Sequence, residues 1–242
     1  VPESCICRLN RDGQISHCPP EFVALVTEAC RYRSLTHGAF DITVQPLWKA
    51  MDDHNFLDGP LDAAQKREAL AKVGGDRVRV EESSVSFSDP GMAMTLNGIA
   101  QGFITDVITE LLQRNGVDQA LVNMGEYRAI GRHPQGRPWN LGIRTPCDSP
   151  DTEVMDSVPL ETGALAVSGG YGYAFDASQH YHHLLNPHTG ENLPADRSIV
   201  VTAPNATMAD ALSTACAVLD DDAAHALCSE LACGLRIYRG VA

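Results

Sequence analysis

The sequence lacks the features that would place it among membrane-spanning or nucleic-acid-binding proteins. No stretch approaches the roughly 20 continuous apolar residues that a membrane-spanning helix needs. Its 18 lysines and arginines stand against 31 aspartates and glutamates, which gives a formal net charge of −13. Because no cluster of basic residues interrupts this negative charge, the chain would repel a polyphosphate backbone. We therefore expect neither a membrane span nor a nucleic-acid partner.

Cysteine is present, but its spacing is not that of a metal or disulfide scaffold. The 8 cysteines include no C-x-x-C motif, and their distribution fits neither a zinc ribbon nor a small disulfide-rich domain. Cys5 and Cys7 form a C-x-C pair that could bind a metal or act in redox chemistry, although small structural residues are the simpler interpretation.

What the sequence does contain is the patterning of an α+β protein. Its 242 residues, 44% of them hydrophobic and 20% charged, are enough for one well-buried core. Predicted strands and helices occur in blocks rather than in strict alternation, which favours antiparallel pairing. We therefore predict a single domain over residues 1–242, of class α+β, with a largely antiparallel sheet and flanking helices.

Local signals place the predicted elements along the chain. Proline, glycine and capping residues delimit the helices, and alternating or apolar runs delimit the strands. In the helix over 101–115, apolar spacing predicts an inward face formed by Ile104, Val107, Ile108, Leu111 and Leu112. Helices are predicted over 21–37, 62–73, 101–115, 206–219 and 223–231, and strands over 77–80, 85–87, 92–96, 120–124, 127–130, 139–143, 164–167, 199–203 and 235–238.

A carboxylate and a hydroxyl on one helix face form the first candidate site. Asp210 and Thr214 are four positions apart in the predicted helix over 206–219, so their Cβ atoms would lie about 5–6 Å apart. Hard oxygen ligands of this kind suit Mg²⁺, which keeps bound water and takes further ligands from substrate phosphates. The spacing is common, and ordinary helix residues also account for it.

Glycines surround the start of the predicted helix over 101–115, in the run LNGIAQG. Gly98 and Gly102 would allow the free N–H groups of the helix N-terminus to face a bound anion. The run is neither a G-x-G-x-x-G motif nor a P-loop, so it does not indicate a nicotinamide or Walker-type site. A tight turn that needs positive φ is the alternative interpretation.

Histidines are concentrated in the run HYHHLLNPHTG. His180 and His182 would share one face of an extended segment and His183 would point to the other, which does not favour a compact three-histidine zinc site. A fold-back at the Asn-Pro step could bring His188 near. One histidine acting as a base or phosphate donor fits the run, and so does a hydrogen-bonded loop histidine.

Asp41 stands inside the apolar run GAFDITVQPLW. A carboxylate buried there needs a partner, which a ligand could supply. Backbone amides in an N-cap or Asx turn would satisfy it equally well. The glycine-rich run SGGYGY over 168–173 could likewise admit a ligand or form a hairpin.

Taken in order, seven short runs resemble the FAD:protein FMN transferases of the ApbE family. The similarity extends from the first ten residues to about Leu219, and its specificity lies in the ordered set. The stretch from Met124 to Arg128, with TLNGIAQG, looks most like the NosX-type members linked to nitrous oxide reduction. The runs are RLN, GAFDITVQPLW, LNGIAQGFITD, ALVNMGEYRAIG, PWNLGIRTP, HLLNPHTG and ADALSTA.

The resemblance implies a T-fold-like α+β structure and the use of FAD with Mg²⁺. It also implies transfer of FMN through a phosphoester bond to a Thr or Ser of a partner flavoprotein, with release of AMP. Family analogy places this activity in the periplasm or at the outer face of the cytoplasmic membrane. The implied site residues are Gly98, Asp210 and Thr214 for the metal, Ala39, Phe40, Asp41, Thr95, Gln101 and Leu184 for the cofactor, and His183 beside the reacting phosphate.

Departures from the family pattern bear on activity. Thr95 stands where the family commonly has Asp, and Gln101 stands where Lys is frequent, so a lost carboxylate and a lost cation could offset each other. Family members also have a strand-and-helix portion before RLN, so part of the FAD site and one strand are expected to be missing here, leaving a sheet edge for a partner. A Mg²⁺-dependent FAD pyrophosphatase and a largely non-catalytic FAD carrier or assembly factor are the alternative functions.

Overall fold

A computed structural model describes residues 3–54, 56, 59–144, 154–170, 173–176 and 180–240. The chain divides into two compact units. The first unit comprises 1–97 and 173–193, and the second comprises 98–172 and 194–242. The chain therefore leaves the first unit after Asn97 and returns to it for one short segment, which contains the histidine-rich run.

Helices and a small antiparallel sheet form the first unit. Ser4 and Asp62 cap two of its helices with side-chain oxygens that accept backbone N–H bonds. A third begins at Pro20, at a position where no N–H is needed. The sheet has the order β1-β3-β2. The elements are α1 (Cys5–Asp12), β1 (Gln14–Ser16), α2 (Pro20–Leu35), α3 (Gln45–Asp52), α4 (Ala63–Leu70), β2 (Val78–Val80) and β3 (Ser84–Phe87).

A larger antiparallel sheet, helices and a strand pair form the second unit. The described sheet has the order β10-β9-β8-β5-β4, and β6 pairs with β7. Helix α6 packs against β8, β9 and α5. The elements are β4 (Ala120–Asn123), β5 (Tyr127–Ile130), β6 (Trp139–Arg144), β7 (Val154–Leu160), β8 (Gly163–Gly169), β9 (Arg197–Ala203), β10 (Gly234–Arg239), α5 (Ala100–Arg114), α6 (Ala206–Val218) and α7 (Asp221–Glu230).

Every pairing between these named strands is antiparallel, so the predicted α+β class with a largely antiparallel sheet is confirmed. The core of the second unit includes Leu141, Val158 and Leu165, which join the β6-β7 pair to the large sheet. Among the helices that the structure describes, none combines the length and apolar composition that a bilayer crossing demands.

The strand predicted over 92–96 does not form. Instead the side-chain amide of Asn10, in α1, makes two hydrogen bonds with the backbone of Met94. Its Nδ2 donates to the Met94 carbonyl O and its Oδ1 accepts from the Met94 N–H, each at 2.8 Å. The next residue, Thr95, donates its backbone N–H to the carbonyl O of Ile42 at 2.8 Å. A side-chain amide thus takes the place of the neighbouring strand that the alternating pattern suggested.

The inward face predicted for α5 is wrong. Ile104, Val107 and Leu111 are 46%, 43% and 53% exposed, while Ile108 and Leu112 are half-buried. The buried residues of α5 are small or polar, namely Gly102, Thr105, Asp106 and Thr109. They face inward because α5 packs closely against α6, where a small residue and hydrogen-bonding side chains fit better than large apolar ones.

Candidate functional site

The candidate sites divide between the two units. Gly98, Gln101, Asp210 and Thr214 belong to the second unit. The remaining candidates belong to the first unit: Ala39, Phe40, Asp41, Thr95, His183 and Leu184.

Asp210 lies in α6 and directs its carboxylate toward the first turn of α5. Its Oδ2 accepts a hydrogen bond of 2.9 Å from the backbone N–H of Gly102. The residue is only 5% exposed. This burial raises the pKa of Asp210 to about 7, against the opposing effect of the Gly102 bond. Burial thus favours the protonated form of Asp210, and a bound cation would stabilise the ionised form that water scarcely reaches.

Gly102 is the residue that permits this contact. A Cβ at this position would lie 2.3 Å from the carbonyl O of Ala206 and 2.8 Å from Cβ of Asp210. Neither Gly98 nor Gly102 has positive φ, so a turn requiring that conformation is not why glycine stands there. Gly102 instead allows α5 and α6 to touch, and its N–H already has a partner in Asp210.

A second buried carboxylate, Asp106, fixes the beginning of α6. It accepts hydrogen bonds from the backbone N–H groups of Ala206 and Thr207, each at 2.8 Å, and from Oγ1 of Thr207 at 2.5 Å. The Arg128 guanidinium pairs with it at 2.7 Å. These contacts hold the helix on which Asp210 and the half-buried Thr214 are presented.

Glu126 is a site residue that the sequence analysis did not single out. It is buried just before β5, and burial, followed by the charge of Asp210, raises the pKa of Glu126 to about 8. A hydrogen bond from the backbone N–H of Val167 acts in the opposite direction. Its position in the run MGEYR, between a glycine and a predicted strand, was the available signal. Two neighbouring buried carboxyls of this kind disfavour joint ionisation unless a cation accompanies them.

The donor types of the three residues that the sequence predicts as metal ligands fit a hard divalent cation. Asp210 and Thr214 offer a carboxylate and a hydroxyl, and the Gly98 carbonyl precedes α5 in the same unit. Within the described part of the chain, no three His, Cys, Asp or Glu side chains gather as a metal cage. A cation on these few protein oxygens would keep open positions for water or substrate oxygens, as Mg²⁺ commonly does.

Gln101 lies beside the turn before β5. Gly125 in that turn has φ +114°, and a Cβ there would lie 2.6 Å from Cδ of Gln101. The exposed Gln101 side chain therefore covers the glycine that precedes Glu126. This chain thus presents an uncharged amide at the turn that contains Gly125.

In the first unit, Asp41 is fully occupied by protein donors. It accepts from Nε of Arg33 at 2.9 Å, from the N–H of Gly75 at 3.0 Å, and from both the N–H and Oγ1 of Thr43 at 2.8 and 2.5 Å. The cap alternative therefore accounts for its burial. Ala39 and Phe40 place their side chains in the core, so a ligand would meet this segment through its backbone.

The histidines have distinct surroundings. Buried His182 accepts the N–H of Leu184 at Nδ1, 3.3 Å away, and lies 2.7 Å from the Leu193 carbonyl O through Nε2. This arrangement assigns the proton to Nε2, and burial lowers the pKa of His182, so the ring is a neutral structural group. His188 packs against Gly38, and a Cβ there would lie 2.9 Å from Cε1 of the ring.

His183 is half-buried, and within the described part of the chain its Nε2 has no hydrogen-bond partner. Its Nδ1 lies 3.2 Å from the carbonyl O of Tyr173, and its backbone N–H donates to the same oxygen at 3.0 Å. Because a carbonyl only accepts, Nδ1 carries the proton and the neutral ring keeps its lone pair at Nε2. Burial lowers the pKa of His183, against the effect of the Tyr173 bond, so the base form dominates at neutral pH.

Aromatic rings support the segment that holds His183. The Tyr173 ring lies 5.7 Å from each of Trp48 and Phe175, and its hydroxyl donates to Asp52 at 2.9 Å. Tyr173 closes the run SGGYGY, of which residues 171 and 172 lie outside the described residues. The anchoring role of this tyrosine was not predicted.

The ApbE family model matches residues 1–238. A FAD:protein FMN transferase of Haemophilus influenzae is 30% identical over 235 residues, covering 92% of this chain and 68% of the relative. A second FAD:protein FMN transferase, of Klebsiella pneumoniae, is 28% identical over 249 residues, which cover 98% of this chain and 70% of the relative. The chain thus spans about two thirds of the length of these curated relatives.

Solved structures show the same fold. The ApbE protein of Thermotoga maritima matches with a TM-score of 0.85 and 28% identity, over 98% of this chain and 81% of that one. The flavin transferase ApbE of Vibrio cholerae matches with a TM-score of 0.79 and 23% identity, over 99% of this chain and 82% of that one. With the family model covering nearly its whole length, the chain belongs to the ApbE family, as its ordered motifs predicted.

Proposed function

We propose that this chain transfers FMN from FAD to the hydroxyl of a Thr or Ser in a partner flavoprotein, with Mg²⁺ and with release of AMP. Its curated relatives are named FAD:protein FMN transferases. The observation that carries the proposal is the buried Asp210 carboxyl. Among the described residues it accepts one backbone hydrogen bond, and Thr214 follows it by one helical turn.

Asp210, Thr214 and the carbonyl of Gly98 would hold the metal. When bound, Mg²⁺ offsets the charge of the FAD pyrophosphate and of the departing AMP phosphate. The chain's contribution is to keep these oxygens in place: Gly102 orients the carboxylate of Asp210, and Asp106 fixes the start of α6. In phosphoryl transfer, positioning of this kind is the main task of the protein.

His183 is the chain's candidate for the general base. The acceptor hydroxyl oxygen forms a bond to the FMN phosphorus, the bond from that phosphorus to the AMP oxygen breaks, and Nε2 of His183 takes the hydroxyl proton. The carbonyl of Tyr173 fixes the required tautomer. The lowered pKa of His183, which results from burial, keeps Nε2 able to accept a proton at neutral pH.

The proposal is tested by incubating the chain with FAD and an acceptor domain that carries a flavinylatable Thr, with Mg²⁺ or with EDTA. Intact-mass spectrometry of the acceptor should show a Mg²⁺-dependent gain equal to FMN. An acceptor in which that Thr is Val serves as the control. Release of free FMN and AMP without a labelled acceptor would identify a pyrophosphatase, and unaltered bound FAD would identify a carrier.

We also propose that the activity is exercised in the periplasm or at the outer face of the cytoplasmic membrane, on the basis of the family analogy. Fractionation of cells that produce the native protein, followed by antibody detection, tests this location. Signal confined to the cytoplasm would contradict it.

A further inference from the structure

Two buried thiols meet where α6 and α7 pack against each other. The Sγ atoms of Cys216 and Cys228 lie 3.6 Å apart. The two residues are 0% and 2% exposed, and both are free thiols in this structure. A disulfide has an S–S bond of about 2.05 Å, so the two sulfurs would need to approach by roughly 1.5 Å.

The surrounding corner holds the two helices in fixed positions. Arg197, buried in β9, donates through Nη1 to the carbonyl oxygens of Ala217 and Leu219 at 2.9 and 2.8 Å. Its Nη2 pairs with Asp221, in the first turn of α7, at 2.9 Å. One guanidinium therefore links the end of α6 to the beginning of α7. The thiols face each other across a corner that is already held together.

A third cysteine lies close by and is the alternative partner. The backbone N–H of Cys233 donates to the carbonyl O of Cys228 at 2.8 Å, while its thiol points to the carbonyl O of Leu231 at 3.5 Å. Its side chain is thus hydrogen-bonded elsewhere, whereas Cys216 and Cys228 have their sulfurs in contact. The geometry favours the 216–228 pair.

We propose that Cys216 and Cys228 form a disulfide when the chain meets a disulfide oxidant, which ties α6 to α7. A thiolate of one cysteine attacks the oxidant R–S–S–R and releases one R–S⁻. The second cysteine then attacks the mixed disulfide and releases the other. The Cys216–Cys228 bond forms, the oxidant's S–S bond breaks, two electrons pass to the oxidant, and the two thiol protons end on the two R–SH products.

The bond would act on the helix that presents Asp210 and Thr214. It would close a short loop and so reduce the conformational entropy of the unfolded chain. We therefore expect the oxidised protein to melt roughly 5–10 °C above the reduced protein. Because both thiols are buried, external oxidants reach them slowly in the native state. The bond should therefore form faster during refolding than in the folded protein.

The test is to refold the reduced chain in oxidised and reduced glutathione, alkylate the remaining thiols, and map the peptides by mass spectrometry. We expect a cross-link between the peptides that contain Cys216 and Cys228, lighter by two hydrogen atoms than the two thiol peptides together. Three results would overturn the proposal: alkylation of both residues, a stable glutathione adduct on either of them, or a disulfide of one of them with Cys233 as the main product.

Variants separate this bond from other oxidation events. Cys228→Ser should remove the cross-link and the difference in melting temperature between oxidised and reduced protein. Cys30→Ser, in α2 of the first unit, is the matched control and should retain both. If Cys228→Ser fails to fold, the wild-type chain can be melted with and without dithiothreitol, and the peptides of both samples mapped. Equal melting temperatures, in the presence of a complete cross-link in the oxidised sample, would contradict the expected stabilisation.

Discussion

Two buried carboxylates, one in each unit, are compensated to very different extents. Asp41 accepts hydrogen bonds from Arg33, Thr43 and Gly75, and so has its partners within the protein. Among the described residues, the Asp210 carboxylate accepts one hydrogen bond, from the backbone N–H of Gly102, and burial raises its pKa to about 7. Both stand out in the sequence as charges in apolar surroundings. The difference indicates that Asp41 completes a local structure, whereas Asp210 has fewer protein donors and is the carboxylate that the cation of the proposed function would compensate.

The strongest test of this contrast is Asp210→Asn. The amide oxygen can still accept the Gly102 N–H, so the fold should persist, but the negative charge for Mg²⁺ is lost. We expect FMN transfer to fall roughly 100-fold or more, measured as the rate of mass gain on the acceptor. Asp156→Asn, which alters a carboxylate paired with Arg236 on another part of the second unit, should leave the rate unchanged. Wild-type transfer by the Asp210 variant would refute the metal assignment.

Asp41→Ala should act on stability. It leaves Arg33 and the backbone amides of Thr43 and Gly75 without their acceptor, which we expect to lower the free energy of unfolding by about 3 kcal/mol. Urea denaturation measures the change. Asp76→Ala removes an exposed carboxylate from the same arginine and should cost less than about 1 kcal/mol. Equal effects of the two variants would mean that the Asp41 network is not what stabilises this segment.

Gly102→Ala tests how the α5–α6 contact supports Asp210. The added Cβ would meet the carbonyl O of Ala206, so we expect a loss of about 2 kcal/mol in unfolding free energy. Mg²⁺ affinity, measured by calorimetry, should fall with it because the Gly102 N–H moves away from Asp210. Gln113→Ala, on the exposed side of α5, is the control. A variant of unchanged stability and affinity would show that the close contact is dispensable.

The two buried carboxyls of the second unit should also make the free energy of unfolding depend on pH in EDTA. In the folded chain, burial raises the pKa of Asp210 from 3.8 to about 7 and that of Glu126 from 4.5 to about 8. The folded state therefore holds protons that the unfolded state releases, and stability should fall as pH rises from about 4 to 8. Each carboxyl contributes at most about 1.4 kcal/mol per pH unit.

Urea denaturation across this pH range provides the measurement for that prediction. The free energy of unfolding should fall more steeply with pH in the wild type than in a variant with Asp210→Asn and Glu126→Gln. Added Mg²⁺ should reduce this pH dependence in the wild type. Identical slopes in wild type and variant would contradict the raised pKa values.

The sequence predicted those parts of the fold whose signals are local. Helix α6 appears within its predicted range of 206–219, and strand β5 matches its predicted range. The strand over 92–96 failed because its hydrogen-bond partner is the distant side chain of Asn10. The face of α5 failed because the partner helix accepts a glycine and hydrogen-bonding residues rather than Ile104 or Leu111.

The candidate site was predictable to a similar degree. Asp210 and Thr214 came from helical spacing together with the family resemblance, which identified their chemistry. Glu126 was missed because its significance depends on burial near Asp210, far away in the chain, and no local pattern encodes that. The fixed tautomer of His183 likewise depends on the carbonyl of Tyr173, ten positions earlier.

The close approach of α5 to α6 also restricts which acid can occupy position 210. Because Gly102 has no side chain and still lies against Asp210, a carboxylate one methylene longer would have to displace the α5 backbone or turn away from its N–H. The site therefore distinguishes Asp from Glu by length, although the two carry the same charge. For redesign of the proposed metal site, Thr214 is therefore the position to vary, since the contact with Gly102 favours the shorter acidic side chain at position 210.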